Sequence, residues 1–271
     1  MPKVSRQIAA RGKTIALVPT MGNLHEGHLS LIRRARKTAD VVIVSIFVNP
    51  KQFGPREDYG TYPRDEKNDI AKIKKAGGDI VFIPKAIDIY PDDFQTYVTV
   101  EKLSKTLEGK SRPVHFRGVT TVVAKLFNIT RPDVAVFGSK DYQQAIVLKQ
   151  MTKDLGYPIK FVIALTVRER DGLAMSSRNR YFTAEQRPEA CCLYYALRTA
   201  REMVKSGIRD VQTIKSEMRA VIKATSPKAK IDYIAFTDFE SLKPVSKAAK
   251  STISSLAVWV YNVRLIDNMR F

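Results

Sequence analysis

His25 and His28, with Glu26 and Gly27 between them, form the pattern in this sequence that most directly suggests chemistry. They close the stretch PTMGNLHEGH, residues 19–28, which lies between an apolar run and a helix-like segment. The N–H groups at a helix N-terminus attract phosphate, and imidazole rings can donate hydrogen bonds to phosphoryl oxygens. A turn with two incidental histidines would show the same pattern. The position between a strand and a helix, in a chain with only 3 histidines, favours a phosphate site.

A second stretch, MSSRN at residues 175–179, suggests further phosphate contacts. The hydroxyl groups of Ser176 and Ser177 can donate to phosphate oxygens, and the Arg178 guanidinium can donate two parallel hydrogen bonds to them. A polar turn or a helix cap is the alternative interpretation of such a stretch. Together with the histidine pair, it favours a site for a triphosphate.

The stretch FGSKDYQQ, residues 137–144, also passes from a strand-like run into a helix-like one. Gly138 permits a close approach to the backbone, and Lys140 can neutralise a phosphate. Gln144 follows Asp141 by about one helical turn, so the two side chains are expected to face the same cleft. Asp141 is equally compatible with a helix N-cap.

Gln52 lies in VNPKQFGP, residues 48–55, in the loop after an apolar run. Its amide offers a donor and an acceptor to a small polar substrate that carries hydroxyl and carboxylate groups. The segment 56–62 that follows is polar and contains glycine, which predicts a mobile cover over a site. An ordinary surface loop is the alternative.

Alternating strand-like and helix-like segments must position these residues. The predicted strands cover 14–18, 41–47, 80–83, 133–137 and 159–165, and the predicted helices cover 27–38, 65–76, 119–129 and 143–155. This alternation predicts right-handed crossovers and an α/β fold with a doubly wound, Rossmann-like parallel sheet. Such sheets bind ligands beyond the carboxyl ends of their strands, where three of the four stretches lie.

The pattern changes after about residue 166. Helices are predicted over 184–206 and 211–225, followed by two β-like runs over 231–236 and 256–266. We therefore expect a Rossmann-like domain over residues 1–166 and a smaller C-terminal α+β domain over residues 167–271, joined by a short hinge.

Composition indicates a folded protein, with 44% hydrophobic and 27% charged residues among 271. No apolar run approaches the roughly 20 residues of a membrane-spanning helix, and the first residues lack the apolar core of a signal peptide. These features predict a cytoplasmic protein without membrane contact. The 2 cysteines, Cys191 and Cys192, are adjacent and match no zinc spacing, so they are expected to be reduced core or near-surface residues.

The formal net charge is +19, from 46 basic and 27 acidic residues. Such an excess can indicate nucleic-acid binding. Here the basic residues are interleaved with acidic ones, and no basic block alternates with aromatic residues. This favours a solvated, lysine-rich surface that helps to attract anionic substrates, and no nucleic-acid partner.

These stretches together resemble the pantothenate synthetase family, within the superfamily of HxGH nucleotidyltransferases. The resemblance rests on PTMGNLHEGH, VNPKQFGP, YPRD, HFRGVTTVVAKLFNI, FGSKDYQQ, RERDGLAMSSRNRY and RLIDN, which follow in the family's order from residue 19 to residue 268. MSSRN occupies the place of the second ATP signature of the superfamily. The combination covers nearly the whole chain.

The resemblance implies an ATP-dependent ligase that joins pantoate to β-alanine through a pantoyl-adenylate, releasing pyrophosphate and then AMP. It implies ATP as co-substrate, Mg²⁺ bridging the phosphates without a protein metal site, and a homodimer. The implied ATP site comprises Met21, Gly22, Asn23, Leu24, His25, Glu26, Gly27, His28, Gly138, Ser139, Lys140, Asp141, Val167, Met175, Ser176, Ser177 and Arg178.

Within that set, the resemblance implies that His28 is the main catalytic donor, aided by His25 and Lys140. Gln52 and Gln144 match the family's pantoate-binding glutamines, and Gln52 is also expected near β-alanine. Val167 corresponds to a backbone contact with adenine, and Met21 is expected to pack on substrate or nucleotide. Hinge closure and the 56–62 segment would shield the water-sensitive adenylate.

The sequence departs from the family pattern at three places. Val114 stands where the family usually has glycine, and Ser139 stands where it commonly has glutamate. Residues 260–262, VYN, replace a usually glycine-containing approach to RLIDN. None of these departures removes a residue assigned to chemistry.

Two other functions would account for part of the pattern. An HxGH enzyme that transfers AMP onto a phosphate would share the histidine motif, but would not be expected to carry the Gln52/Gln144 pair or MSSRN followed by this C-terminal domain. A nucleic-acid-binding protein is indicated by the charge alone.

Overall fold

A five-stranded parallel sheet occupies the N-terminal part of the computed structural model, which describes residues 1–55 and 57–271. Its strands are β1 (Ile15–Thr20), β2 (Val41–Ile46), β3 (Ile80–Phe82), β4 (Val134–Gly138) and β5 (Lys160–Ala164). They lie in the order β3-β2-β1-β4-β5, so the order reverses between β1 and β4. This arrangement confirms the predicted doubly wound sheet, and its ligand-binding crevice is expected at that reversal.

Helices cover both faces of this sheet. They are α1 (Pro2–Ala10), α2 (Glu26–Arg36), α3 (Glu66–Lys75), α4 (Ala86–Ile89), α5 (Glu108–Ser111), α6 (His115–Thr130) and α7 (Tyr142–Asp154). Side chains alternate along β1, so Ile15 and Leu17 join a core with α6 and α7, whereas Ala16 and Val18 join a second core with α2 and α3. Burial on both faces explains the continuous apolar runs.

Helix α1 was not predicted from the sequence. Its segment, PKVSRQIAA, carries four polar residues among nine and has no acidic residue in its first turn. Met1 and Ile8 nevertheless pack against the core beside α6. Tertiary packing, rather than local propensity, therefore explains this helix.

The C-terminal part contains helices α8 (Cys192–Lys205) and α9 (Val211–Thr225) and an antiparallel sheet. The sheet has the order β6-β7-β8, formed by Lys230–Asp238, Thr252–Val260 and Val263–Arg270. The helices and the sheet share one apolar core, which includes Cys191 and Cys192 at 1% and 0% exposure. Their expected place in a core is confirmed.

Two predictions for this part were wrong in detail. The helix predicted over 184–206 begins only at Cys192, after a 3-10 turn at Arg187–Cys191 that contains Pro188. Proline lacks the N–H that a continuous helix would need there. The run predicted over 256–266 is a hairpin of β7 and β8, in which Tyr261 has φ +52°. Two-residue hairpin turns usually carry glycine or asparagine at positions with positive φ. A tyrosine at position 261 therefore gave no signal of a turn in the sequence.

The chain folds as two units, each with its own core. One comprises Met1–Ser139 and Gln143–Leu165, and the other comprises Lys140–Tyr142 and Thr166–Phe271. The predicted domain boundary at residues 166 and 167 stays a prediction. None of the helices within residues 1–55 and 57–271 combines the length and apolar character needed to cross a membrane.

Candidate active site

The loop between β1 and α2 has a left-handed backbone at two consecutive residues. Gly22 has φ +84° and Asn23 has φ +51°. Glycine adopts this conformation freely, and asparagine tolerates it better than most residues. A Cβ atom at position 22 would also lie 3.1 Å from both the Asp69 carboxylate and the Ile46 side chain. Glycine at this position therefore serves the backbone and the close approach of Asp69, whatever ligand the loop binds.

Asp69 on α3 anchors this loop. Its side chain is 1% exposed, and its two carboxylate oxygens accept hydrogen bonds from the backbone N–H groups of Asn23 and Leu24, both at 2.7 Å. Lys72, one turn later, donates to the carbonyl of Leu24 at 2.8 Å. Sequence reasoning missed Asp69. The available signal was its position four residues before the buried Ile73, on the same face of a helix.

The two histidines lie together at the start of α2, with ring centroids 4.1 Å apart. His25 is the N-cap residue, and its Nδ1 accepts from the N–H of Gly27 at 3.2 Å. The Nδ1 of His28 accepts from the N–H of His25 at 3.4 Å. A neutral imidazole that accepts at Nδ1 carries its proton on Nε2. Both rings are therefore set to donate through Nε2–H.

The other residues of this motif that were predicted to bind ATP also have structural roles. Leu24 is buried, Gly27 is partly buried in the first turn of α2, and Glu26 in the same turn forms an ion pair with Arg33. An acidic residue in the first turn stabilises a helix through its dipole.

Gln52 ends a 3-10 turn, Pro50–Gln52, and is 8% exposed. Its Nε2 lies 3.1 Å from the sulfur of Met21, the residue that follows β1. The structure thus brings together two residues that the sequence placed near the substrate.

Asn49 fixes the Gln52 side chain and was missed in the sequence. It is 1% exposed, and its Nδ2 donates to Oε1 of Gln52 at 3.1 Å and to the carbonyl of Gly118 at 3.0 Å. Its Oδ1 accepts from the hydroxyl of Tyr90 at 2.8 Å. The amide of Asn49 therefore sets the orientation of the Gln52 amide, with its oxygen toward Asn49 and its nitrogen toward Met21.

The start of α6 holds the backbone of Gln52. The Nδ1 of His115 lies 3.1 Å from the carbonyl oxygen of Gln52, and its Nε2 lies 3.3 Å from the guanidinium of Arg112. A carbonyl only accepts and a guanidinium only donates, so His115 is neutral with its proton on Nδ1. Burial, with the nearby charge of Arg112, lowers the pKa of His115 to about 4.

Arg112 also extends this network to the segment that follows Gln52. Its Nε donates to Glu57 at 2.8 Å, and its Nη2 lies 3.4 Å from the carbonyl of Gln52. Burial alone would raise the pKa of Glu57, but the hydrogen bond and charge of Arg112 outweigh it and lower that pKa. The network thus ties Glu57 and α6 to the same carbonyl.

The segment predicted to cover the site is partly described. Arg56 lies outside the described residues. In the remainder, Tyr59 and Tyr62 pack their rings against Phe53, with centroids 5.5 and 6.1 Å from it. The role of this segment as a mobile cover stays a prediction.

A cavity of about 160 Å³ opens beside Met21, at the carboxyl ends of β1 and β2. Its lining includes Gly22, Phe47, Tyr59 and Arg64. The cavity lies at the carboxyl edge of the sheet, on the side of β2 and β3 rather than at the reversal between β1 and β4.

The adjacent glutamines at the start of α7 have different environments. Gln143 is 6% exposed, and its amide bonds to the carbonyls of Leu103 and Thr106 and to the N–H of Glu108, at 2.7–3.0 Å. Gln144 is only partly buried. Gln143 is therefore a structural residue, which leaves Gln144 as the candidate for substrate binding. That Gln144 and Asp141 face one cleft stays a prediction.

In the second unit, Val167 and Met175 lie opposite each other in a short hairpin, residues 167–175. Met175 N–H donates to the carbonyl of Val167 at 3.0 Å, and Arg168 pairs with Ala174. Gly172 has φ +93° at the turn, and a Cβ atom there would overlap the ring of Tyr194. The hairpin thus brings the predicted adenine contact next to the first residue of MSSRN.

Ser176 caps the 3-10 turn Ser177–Tyr181, because its hydroxyl oxygen accepts from the N–H of Arg178 at 3.2 Å. This agrees with the helix-cap interpretation. Capping uses a lone pair and not the hydroxyl proton, so it is compatible with donation to a phosphate.

The loop after β4 contains Ser139, Lys140 and Asp141 in a 3-10 turn that follows Gly138. The ammonium of Lys140 lies 3.5 Å from the carboxylate of Asp141. That Asp141 caps a helix stays a prediction. Val114, the other departure near the motifs, is 50% exposed at the start of α6.

Across residues 1–55 and 57–271, no group of three or more histidine, cysteine, aspartate and glutamate side chains is placed to hold a metal ion.

Comparisons with known proteins agree with these features. The family model for pantoate–β-alanine ligase matches residues 1–270. A pantothenate synthetase from Moorella thermoacetica is 54% identical over 259 residues, which is 96% of this chain and 91% of that protein.

Solved structures are similar over the same extent. The crystal structure of pantothenate synthetase from Thermus thermophilus has a TM-score of 0.93 and 43% identity, covering 98% of this chain and 97% of that one. A pantoate–β-alanine ligase from Francisella tularensis, complexed with β-γ ATP and β-alanine, has a TM-score of 0.77 and 37% identity, covering 99% and 95%. The chain therefore belongs to the pantoate–β-alanine ligase family.

Proposed function

We propose that this protein condenses (R)-pantoate with β-alanine to form pantothenate, using ATP and a pantoyl-adenylate intermediate. A carboxylate oxygen of pantoate attacks the α-phosphorus of ATP, and the bond to the departing pyrophosphate breaks. The amine of β-alanine then attacks the acyl carbon, the bond to AMP breaks, and the amine loses a proton. The observation that carries this proposal is the His25/His28 pair at the end of β1, with both rings set to donate through Nε2–H.

The histidines would act on the charge that develops during the first step. Negative charge grows on the oxygens around the α-phosphorus, and hydrogen-bond donors that are already oriented stabilise it at little cost in reorganisation. The Nδ1 atoms of both rings are held by backbone N–H groups. The loop before them is held by Asp69. His28 is the main donor in this proposal, and His25 assists it.

Gln52 and Gln144 would bind pantoate, and Gln52 would also lie near β-alanine. The Gln52 amide is oriented by Asn49, and its carbonyl is bonded by the start of α6, so little freedom remains to be lost on binding. Met21, in contact with Gln52, would pack on the bound substrate.

In the second unit, Lys140, Ser176, Ser177 and Arg178 would contact phosphate oxygens, and the backbone of Val167 would contact adenine. Mg²⁺ prefers oxygen ligands and keeps several waters. The phosphates of ATP would supply ligands for Mg²⁺, as the family resemblance implies. Its chemical contribution would be to neutralise phosphate charge.

Pantoate-dependent exchange of ATP with pyrophosphate tests this proposal. With pantoate present and β-alanine absent, labelled pyrophosphate should enter ATP, because the adenylate forms reversibly. Pantothenate should appear only when β-alanine is added. Exchange that requires β-alanine, or that ignores pantoate, would rule out the adenylate-first order.

The assembly and location are also proposals. Family resemblance supports a homodimer, which sedimentation analysis at several protein concentrations would test. A cytoplasmic location would be tested by fractionation of the source cells.

A further inference from the structure

The C-terminal motif RLIDN, residues 264–268 on β8, has no role in the chemistry proposed above. Its last two residues are polar but buried, with Asp267 3% exposed and Asn268 8% exposed. Burying such groups is costly unless they are hydrogen-bonded. Their partners therefore indicate what these residues do.

Asn268 is bonded to the residue that the proposed mechanism places on phosphate. Its Nδ2 donates to the carbonyl oxygen of Lys140 at 2.8 Å, across 128 residues of sequence. The hydroxyl of Tyr142 donates to the carbonyl of Phe239 at 2.7 Å. These two bonds hold residues 140–142 within the second unit, although these residues follow β4 in sequence.

Asn268 is itself held by an ion pair between the buried Asp267 and the partly buried Arg168. Arg168 forms two hydrogen bonds with the carboxylate of Asp267, at 2.6 and 3.0 Å. The same carboxylate accepts from the N–H of Asn268 at 2.7 Å, and Arg168 donates to the carbonyl of Asn268 at 3.2 Å. Paired parallel bonds of this kind restrict geometry strongly.

Arg168 also belongs to the hairpin 167–175. It donates to the carbonyl of Gly172 at 3.0 Å and lies over the ring of Tyr194, with Cζ 5.0 Å from the centroid. One connected set of bonds therefore joins Lys140, Asn268, Asp267, Arg168 and the hairpin that leads to Ser176.

We propose that Asn268 is a positioning residue for the adenylation step. It holds Lys140 in a fixed place relative to the 167–175 hairpin. Asp267 and Arg168 keep Asn268 in the orientation that this requires. This inference rests on the proposed function, because it assumes that Lys140 contacts a phosphate of ATP. The contacts themselves lie within the second unit.

A double-mutant cycle tests this role. Asn268→Ala should lower kcat/KM for ATP in pantoate-dependent exchange by about 10- to 100-fold, since a displacement of about 1 Å can cost about 100-fold. The KM for pantoate should change much less. In a Lys140→Ala background, the same substitution should cost no more than about twofold, because the group that it positions is gone.

Two further variants separate positioning from stability. Asn268→Leu keeps a side chain of similar length but removes the donor to Lys140 without adding a carboxylate beside Asp267, so it should reproduce the loss without leaving a cavity. Asp232→Asn is the control for stability. It breaks an ion pair in which the Asp232 carboxylate lies 2.7 Å from the guanidinium of Arg264, a residue on the same strand as Asn268. Asp232→Asn should leave kcat/KM for ATP near that of the wild type.

The outcomes distinguish the two proposals. If the wild type shows pantoate-dependent exchange but Asn268→Ala causes equal losses with and without Lys140, the positioning role alone is overturned. Wild-type protein that neither exchanges nor binds an ATP analogue in calorimetry overturns the proposed function and this inference with it. If Asn268→Ala unfolds, the Asn268→Leu cycle decides in the same way.

Discussion

The histidine pair is held by hydrogen bonds that involve the same nitrogen of each ring. The Nδ1 of His28 accepts from the backbone, so the proton of the neutral ring lies on Nε2, the donor in the proposed reaction. His28→Ala should lower the rate of adenylate formation by about two to four powers of ten. Single-turnover kinetics with ATP and pantoate would measure this rate.

Binding of preformed pantoyl-adenylate should survive His28→Ala better than turnover does, because a donor to developing charge matters most in the transition state. His28→Gln, which keeps a donor near the same place, should recover part of the rate. A rate of adenylate formation close to that of the wild type in His28→Ala would remove this residue from catalysis.

Substitutions of the glutamines and substitutions of the cationic residues should weaken the binding of different substrates. If Gln52 and Gln144 bind pantoate, then Gln52→Ala and Gln144→Ala leave substrate groups unpaired, at about 1–3 kcal/mol for each lost bond, or roughly tenfold to a hundredfold. The KM for pantoate should rise sharply and that for ATP much less. Lys140→Ala and Arg178→Ala should show the opposite bias. Steady-state kinetics with each substrate varied in turn would measure the contrast.

Gln143 provides the matched control for Gln144, because the two are neighbours on α7. Gln143→Ala removes bonds to the carbonyls of Leu103 and Thr106 in a buried place. It should lower the free energy of unfolding while leaving the ratio of the two KM values unchanged. An ATP-only defect in Gln144→Ala would show that the pantoate site is misplaced.

His115 should make stability depend on pH. Its pKa is about 4 in the folded protein, against 6.5 as the ordinary value, mainly because burial disfavours the charged ring. Between these pH values the unfolded chain binds a proton that the folded chain does not. The free energy of unfolding should therefore fall as pH falls from 6.5 towards 4, with a slope of up to about 1.4 kcal/mol per pH unit from this group.

Urea unfolding at several pH values would measure this slope in the wild type and in His115→Gln. A neutral glutamine can donate to the Gln52 carbonyl and accept from Arg112, but it does not titrate. His25→Gln, which alters a partly exposed histidine and keeps His115, is the control. An unchanged slope in His115→Gln would contradict the assignment.

At the scale of elements, the start of α6 packs closely against the turn that carries Gln52. Gly118 makes this possible, since a Cβ atom there would lie 2.6 Å from the backbone nitrogen of Gln52 and closer still to the carbonyl of Lys51. Gly118→Ala should destabilise the protein by about 1–3 kcal/mol through overpacking. It should also raise the KM for pantoate, because α6 holds the Gln52 carbonyl.

Thermal unfolding and kinetics with pantoate varied would check both effects. Gly60→Ala is the matched control for stability, because an added Cβ atom there meets no described atom within 4 Å. Equal stability of the two variants, with a wild-type KM for pantoate in Gly118→Ala, would mean that α6 can move away from the turn without effect on the site.

At the scale of the whole molecule, the net charge of +19 should favour the arrival of anionic substrates. We expect kcat/KM for ATP to fall as salt rises, because salt screens exposed charges over about 10 Å at 0.1 M ionic strength. β-Alanine, a zwitterion without net charge, is the internal control and should show little dependence on salt. Stopped-flow or steady-state kinetics over a salt series would measure both.

The same charge does not require a nucleic-acid partner. Any binding to DNA or RNA should be weak and should decline steeply between about 50 and 200 mM salt, as for contacts with phosphates alone. Tight binding that persists at the higher salt concentration would contradict the interpretation as a solvated surface.

The order of elements was predictable because it depends on neighbours in sequence. Apolar runs of strand length alternate with helical segments through β5, and this pattern alone favours a parallel sheet. Three of the four site motifs adjoin those runs, so their placement at strand ends followed directly. The predictions for the start of α8 and for the turn between β7 and β8 were wrong because the apolar pattern does not encode the backbone conformations at Pro188 and Tyr261.

The sequence by itself determined the family resemblance, the parallel sheet and the residues proposed to touch the substrates. Only the tertiary structure decided which residues hold them in place. Asp69 lies 46 residues from Asn23, the carbonyl of Gly118 lies 69 residues from Asn49, and Asn268 lies 128 residues from Lys140. The physical reason is that a residue which binds a substrate can belong to a local motif, whereas a buried polar residue gains its partner only when the chain folds and distant segments meet.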